Sequence, residues 1–316
     1  SSRLISGSME LHRELEQRLA TFKHAEAALV FPSGYHANIG VLSALMGPGD
    51  TIFSDALNHA SIIDGCRLAR AEIKVFRHCD MAHLAQLLAE SATSGQRLIV
   101  TDSIFSMDGD IAPLADIVTL ARRYQAWVMV DEAHGTGVFG RHGSGVVEEL
   151  EADIEIQMGT LGKALGGAGA YVAGSQALID WLINKARSFI YTTGIPPAVA
   201  ASALAALDLV AQEPERRQCL WNNAALLQQG LQELGYQIGP TRSHILPVLI
   251  GEARQTMALA EALLRRGVFA QGIRPPTVPE GTSRLRVTPM ATHTHEQLGQ
   301  ALEAFAAAGR EVGVLV

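Results

Sequence analysis

Two residues are best placed for chemistry. Lys163 sits in the glycine-rich string GTLGKALGG, and Asp131 closes the apolar run AWVMVDEAHGTG. Small neighbours let a lysine amine approach a flat carbonyl cofactor, and a carboxylate at the end of a buried strand can hold a ring nitrogen protonated. Together they point to pyridoxal phosphate chemistry.

Other residues carry two readings each. His59, in DALNHASI, follows a strand and opens a helix, where a histidine can cap the helix, fill space or stack on a planar ring. The segment FPSGYHAN sets Ser33 and Gly34 just before a helix, a place that favours a phosphate and equally an ordinary N-cap. The string GTGVFG, residues 135–140, matches GxGxxG after a strand, but the following RHGSGVV begins no apolar-periodic helix, and Asp131 and His134 occupy the strand end. A dinucleotide site is therefore rejected. A P-loop fails as well, because Gln157 and Ala164 stand where it needs glycine and a hydroxyl residue. The pairs His78 with His83 and His293 with His295 join no recognisable metal-site spacing and read as surface or helix-start residues, so no metal is expected.

The elements that must position these groups alternate. Apolar strand candidates fall at 27–31, 51–54, 73–76, 98–101, 127–131, 154–158 and 170–173, with helices at 9–23, 37–46, 60–69, 81–90 and 114–124. This pattern predicts an α/β fold whose mainly parallel sheet is covered by helices, with sites gathered at the strand C-termini. After about residue 210 the texture changes to a helix at 213–234, a strand at 245–250, a helix at 252–266, strands at 268–271 and 284–288, and a last helix at 294–308. The expected division is a large domain over 1–210 and a small α+β domain over 211–316.

The length of 316 residues with 48% hydrophobic content supports sizeable cores, and a net charge of −7 supplies no basic field for nucleic acid or an anionic membrane. Cys66, Cys79 and Cys219 form no CxxC pattern, so neither a disulfide framework nor a zinc ribbon is indicated and a reducing cytoplasm fits. The apolar stretch from Ala198 contains Asp208 and is too short to span a bilayer, which makes it a core helix.

In order along the chain, LISGSMELHRELEQRLA, FPSGYHAN, LNHASIIDG, SIFSMDGDIAPL, VDEAHGTGVFG, GTLGKALGGAGAYV, FIYTTGIPP and GIRPPTVPEGTSRLRVT resemble the α-oxoamine synthases, a subfamily of the fold type I pyridoxal phosphate transferases. The resemblance implies that Lys163 is the Schiff-base lysine, Asp131 the partner of the pyridine nitrogen and His59 the residue stacked on the ring. His134 and Ser106 match positions near the phenolic oxygen, and Ser33, Gly34, Tyr35 and Thr160 match positions around the ring and phosphate. Thr192 and Thr193 resemble a segment that reaches the phosphate across a homodimer interface. Arg274 matches a position that binds the amino-acid carboxylate, for which a guanidinium fork is suited.

The IRPPTVPEGTSRLRVTPMATHT stretch is most similar to the biotin-pathway branch of the family. That branch implies decarboxylating condensation of L-alanine with pimeloyl-CoA or a pimeloyl carrier protein. The alternatives are a glycine-using, acetyl-CoA-dependent acyltransferase, an aminotransferase on the same fold, or a silent scaffold subunit. Typical members of the family carry, ahead of the position of Ser1, an N-terminal helix and the start of the large domain that contribute to the acyl-CoA site, so either such residues precede Ser1 or the enzyme would be incomplete.

Overall fold

The computed structural model describes residues 1–92 and 95–315. The chain forms two compact units, Ser1–Ile104 with Ala112–Glu213, and Phe105–Ile111 with Pro214–Val316. In the first unit, strands β1 (Ala27–Phe31), β2 (Thr51–Asp55), β3 (Glu72–Phe76), β4 (Arg97–Asp102), β5 (Trp127–Asp131), β6 (Ile156–Thr160) and β7 (Ala170–Gly174) form one sheet in the order β1-β7-β6-β5-β4-β2-β3. β2 to β6 run parallel, and β7 is antiparallel to both its neighbours. The sheet is thus mainly parallel. Its inner strands are buried along almost their whole length because helices cover both faces.

The covering helices are α1 (Glu10–Phe22), α2 (Gly34–Leu45), α3 (Ala60–Ala69), α4 (Met81–Glu90), α5 (Leu114–Tyr124), α6 (Val146–Glu149), α7 (Gln176–Lys185), α8 (Arg187–Ile190) and α9 (Pro197–Gln212). One core places Val41, Leu42, Ile62 and Leu182 against Leu29, Val100, Met129 and Val172 of the sheet. A second packs Leu15, Leu19, Ala200 and Leu204 onto Val30 and Tyr171.

Two departures from the expected boundaries have local causes. α2 starts at Gly34 instead of 37 because the Ser33 hydroxyl accepts the His36 N–H and caps the helix. β6 begins at Ile156 instead of 154 because the Glu155 carboxylate takes the Val128 N–H, 2.9 Å away, in place of a ladder partner. Helix α7 has no counterpart among the expected elements.

The second unit holds α10 (Glu215–Glu233), β8 (Gln237–Ile238), β9 (Leu246–Gly251), α11 (Ala253–Arg265), β10 (Gln271–Ile273), β11 (Ser283–Val287) and α12 (His295–Glu311). Its antiparallel sheet runs β10-β11-β9-β8, with Leu246, Val248, Leu259, Leu285 and Phe305 in the core. The strand expected at 268–271 begins at Gln271. Gly267, at φ 80°, ends α11 and directs the Val268 N–H back to the Leu263 carbonyl. A single boundary at 210/211 also gives way to a divided pattern, since Phe105–Ile111 groups with the C-terminal residues. Arg284 holds this segment through the Asp108 carboxylate at 2.5 Å, and the Arg286 Nε donates to the Ser106 carbonyl at 2.6 Å. Among the described residues no helix is long and apolar enough to cross a membrane.

Candidate active site

β4 and β5 lie side by side in register, and their last residues, Asp102 and Asp131, are neighbours. Both are buried. The Asp131 carboxylate is fixed from two sides, its Oδ2 accepting from Asn38 Nδ2 at 2.9 Å and its Oδ1 from the Ala133 N–H at 2.8 Å. Asn38 comes from the second turn of α2, and its amide also donates to the Ser61 hydroxyl of α3 at 2.8 Å. Ser61 Oγ in turn meets His59 Nδ1 at 2.7 Å, while the His59 N–H donates to Asp102 Oδ2 at 2.7 Å. One continuous hydrogen-bonded path therefore runs Asp102, His59, Ser61, Asn38, Asp131.

His59 caps α3, its Nδ1 accepting the Ser61 N–H at 3.2 Å. The capping reading is thus correct, and it does not displace the stacking one. Capping uses the ring edge, and His59 is otherwise exposed.

Lys163 lies on the exposed loop between β6 and β7, with its charge close enough to act on Asp102. Two glycines bring the surrounding loops together. Gly137, at φ 82°, could not carry a Cβ without meeting that of Ala164 at 2.8 Å, so the turn after β5 rests against the lysine loop. A Cβ on Gly34 would lie 2.9 Å from Thr160 Cγ2, so the start of α2 closes on the end of β6. Here GTGVFG serves as a close-approach turn. No long helix follows it, in keeping with the rejected dinucleotide site.

His134 is half-buried in the turn that follows Asp131. Tyr35 is exposed, and its hydroxyl donates to Asp64 at 2.9 Å. Lys163, Asp131, His59, His134, Ser33, Gly34, Tyr35 and Thr160 thus all stand on strand ends, or on the loops and helix starts that follow them, in the first unit. Thr192 and Thr193 follow α8 in the same unit, where Thr193 bridges to Ser2. Ser106 and Arg274 belong to the second unit.

Sequence reasoning missed Asp102, Asn38, Ser61 and the Lys23–Glu132 pair. Asp102 had a signal, because it closes an apolar strand just as Asp131 does. Burial, reinforced by the neighbouring Asp131 charge, pushes its carboxyl well above the usual range, against the opposing effects of the His59 N–H and Lys163. Behind the site, Lys23 Nζ donates to Glu132 Oε2 at 2.9 Å, and both side chains are shut off from water. Glu132 Oε1 also accepts the Val146 N–H at 3.0 Å, which pins the loop that returns from the His134 turn. Burial works against the Lys23 charge, yet Glu132 keeps its ammonium above the ordinary lysine value.

The fold and this arrangement define a fold type I pyridoxal phosphate transferase. Residues 1–305 match the family described as aminotransferase class I and II, and the chain belongs to that family. It is 56% identical, over 100% of its own length and 82% of the relative's, to an 8-amino-7-oxononanoate synthase of Geobacter sulfurreducens. A serine palmitoyltransferase from S. paucimobilis, solved with a bound PLP–myriocin aldimine, superposes with a TM-score of 0.96 at 38% identity, covering 100% of this chain and 80% of that one. The 8-amino-7-oxononanoate synthase of Francisella tularensis gives 0.83 at 29% identity, over 96% of this chain and 89% of that one. The resemblance to the α-oxoamine synthases holds along the whole chain.

Proposed function

We propose that this protein joins L-alanine to a pimeloyl thioester, on CoA or a carrier protein, with loss of CO2 and thiol, to give 8-amino-7-oxononanoate for biotin biosynthesis. The observation that carries the choice of reaction is the 56% identity, across the full chain, to a synthase of that name.

The residues present fit pyridoxal 5'-phosphate. Asp131 uses one lone pair of each oxygen on Asn38 and Ala133, which leaves acceptor capacity for a ring N–H. Asn38 Oδ1 is buried with no hydrogen-bond partner among the described residues, a polar atom left over at the same place. The N-terminus of α2, entered through Ser33 and Gly34, offers backbone N–H groups to a phosphate beside Thr160. When bound, the cofactor supplies an electron sink for a carbanion at the amino-acid Cα.

The chain's own groups then have defined work. Lys163 would hold the cofactor through its carbonyl carbon, and its amine would carry the proton from and to the substrate Cα as general base and acid. Asp131, kept in place by Asn38, holds the ring nitrogen protonated. His59 supplies a flat face whose edge is fixed by Ser61, and His134 and Ser106 serve the phenolic oxygen. Arg274 takes the alanine carboxylate, and Thr192 and Thr193 reach the phosphate of a second copy, which makes the working form a homodimer. The new bond joins the alanine Cα to the acyl carbonyl carbon, and the thiol leaves with a proton.

The test is thiol release by the full-length protein with alanine, glycine and serine against acyl-CoAs of graded length. Alanine with the pimeloyl thioester should be the preferred pair. Turnover confined to glycine with acetyl-CoA would replace this reading by the glycine-using acyltransferase. Lys163→Ala should lower the rate of α-proton exchange on alanine by about 10²–10⁴-fold, and exchange at the wild-type rate would remove Lys163 from the proton-carrying role.

A further inference from the structure

We propose that Asp55, His78 and Cys79 form a site for a divalent cation of borderline softness, Zn²⁺, at the C-terminal end of β2. One carboxylate oxygen of Asp55, one ring nitrogen of His78 and the Cys79 sulfur all lie within 4.8 Å of one another. The Asp55 side chain is 1% exposed and that of His78 26%, and Cys79 is half-buried. The carboxylate therefore forms the floor of the site, and an ion approaches from the histidine and cysteine side.

Thiolate, imidazole and carboxylate are the donors zinc takes, at about 2.0–2.3 Å in tetrahedral geometry, which places ligand atoms of one ion roughly 3.3–3.8 Å apart. Asp55 Oδ1 and His78 Nδ1 are 2.9 Å apart. Together with the 4.8 Å limit on the whole group, that separation brackets the required spacing.

The floor is already braced. The Leu57 N–H donates to Asp55 Oδ1 at 2.8 Å and the Cys79 N–H to Oδ2 at 2.9 Å. These bonds orient the carboxylate and tie it to the loop that carries the other two donors, as supporting bonds do in metal sites. Leu57 also belongs to the turn that delivers His59, so an ion here would stiffen the approach to the candidate active site.

Spacing along the sequence conceals this cluster. His83, the nearest histidine, turns its Nδ1 to the Arg77 N–H at 2.9 Å, whereas the carboxylate arrives from β2. Cys79 also holds a left-handed backbone, φ 52°, which asparagine adopts more readily than cysteine. Among the described residues a second donor group, His24, His142 and Glu148, makes a useful control. Its two histidines are exposed, so that group has no buried floor of the kind Asp55 supplies.

The experiment is a Zn²⁺ titration of the full-length protein as purified, stripped with a chelator, against a chromogenic competitor. Wild type should bind one ion per chain more tightly than about 1 μM. Cys79→Asn and His78→Gln should each weaken binding by about 100-fold or more. X-ray absorption of the zinc-loaded protein should show one sulfur at about 2.3 Å beside nitrogen and oxygen at about 2.0 Å. Cys79→Asn suits the local backbone and should unfold at or above the wild-type temperature in chelator, which separates loss of a ligand from loss of fold. His78→Gln gives the same comparison without touching that backbone. Absence of tight binding by wild type, equal binding by wild type and Cys79→Asn, a zinc shell without sulfur, or loss of binding in His142→Ala alone would each overturn the site.

Discussion

The two ends of the sheet in the first unit are built in opposite ways. At the C-terminal ends, β4, β5 and β6 finish in Asp102, Asp131 and Thr160, surrounded by polar groups with assigned partners and by glycines that let loops touch. At the N-terminal ends, Trp127 and Ile156 join Leu45, Leu178 and Trp181 around a cavity of about 470 Å³. The apolar hollow is thus at the end opposite the candidate site. Capacity for a ligand and capacity for reaction are separate properties. Parallel strands send their following loops to the C-terminal side, and those loops carry the lysine, the histidines and the helix start.

The strongest way to break this contrast is Asp131→Ala. Removing the carboxylate should lower kcat by about 10²–10³-fold, the scale seen when one charge-stabilising group is lost from an active site. It should also destabilise the fold by about 1–3 kcal/mol, because the buried Asn38 amide loses an acceptor. Steady-state thiol release and urea unfolding measure the two effects. Wild-type turnover by this variant would erase the distinction between the two ends.

A purely structural effect should follow Lys23→Met. It strands the Glu132 carboxylate, which is 0% exposed, and should cost about 3–5 kcal/mol in denaturant unfolding. Arg18→Ala is the control, since the Arg18–Asp208 pair is 43% and 48% exposed and should be worth less than about 1 kcal/mol. Similar losses in the two variants would show that burial is not what makes the Lys23 pair matter.

Much of this arrangement is legible in the sequence. Strand periodicity located most of the sheet, and it set Asp131 at a strand C-terminus with Lys163 on the loop after the next strand. What stayed hidden were contacts that depend on register and helix phase. Asn38 reaches Asp131 only because the capped first turn of α2 sits over Thr160 and sets the phase of the second turn. Lys23 meets Glu132 across 109 residues of chain, with no local pattern to mark it. Asp55 and His78 are similarly joined by adjacent strands, so reading histidine spacing could not find them.

Asp102 sharpens the contrast within the reactive edge itself. Its folded carboxyl titrates well above the ordinary value of 3.8, so the folded state binds a proton that the unfolded state has released. The resulting stabilisation is full below about pH 4 and is lost as pH rises toward the folded value. Asp102→Asn keeps a side-chain oxygen that can accept the His59 N–H, so kcat should change by less than about 3-fold, far below the 10²-fold or greater loss for Asp131. Because the variant cannot titrate, its melting temperature relative to wild type should climb from pH 4 to pH 7. A difference independent of pH would mean that Asp102 is not the group held protonated.

The smallest effect belongs to the apolar end. Trp181 Nε1 donates to the Ala44 carbonyl at 2.8 Å, and the residue is 48% exposed. Trp181→Phe keeps an aromatic ring on the cavity wall while deleting that bond. Water can replace the lost donor at so open a position, so unfolding free energy should fall by no more than about 0.5–1.5 kcal/mol. Because the carbonyl lies at the end of α2 remote from Gly34, the helix start beside Thr160 keeps its cap and kcat/KM should stay at the wild-type value. A drop in kcat/KM with the melting temperature unchanged would mean that α2 transmits the state of the cavity to the reactive edge, and the two ends would then work as one device.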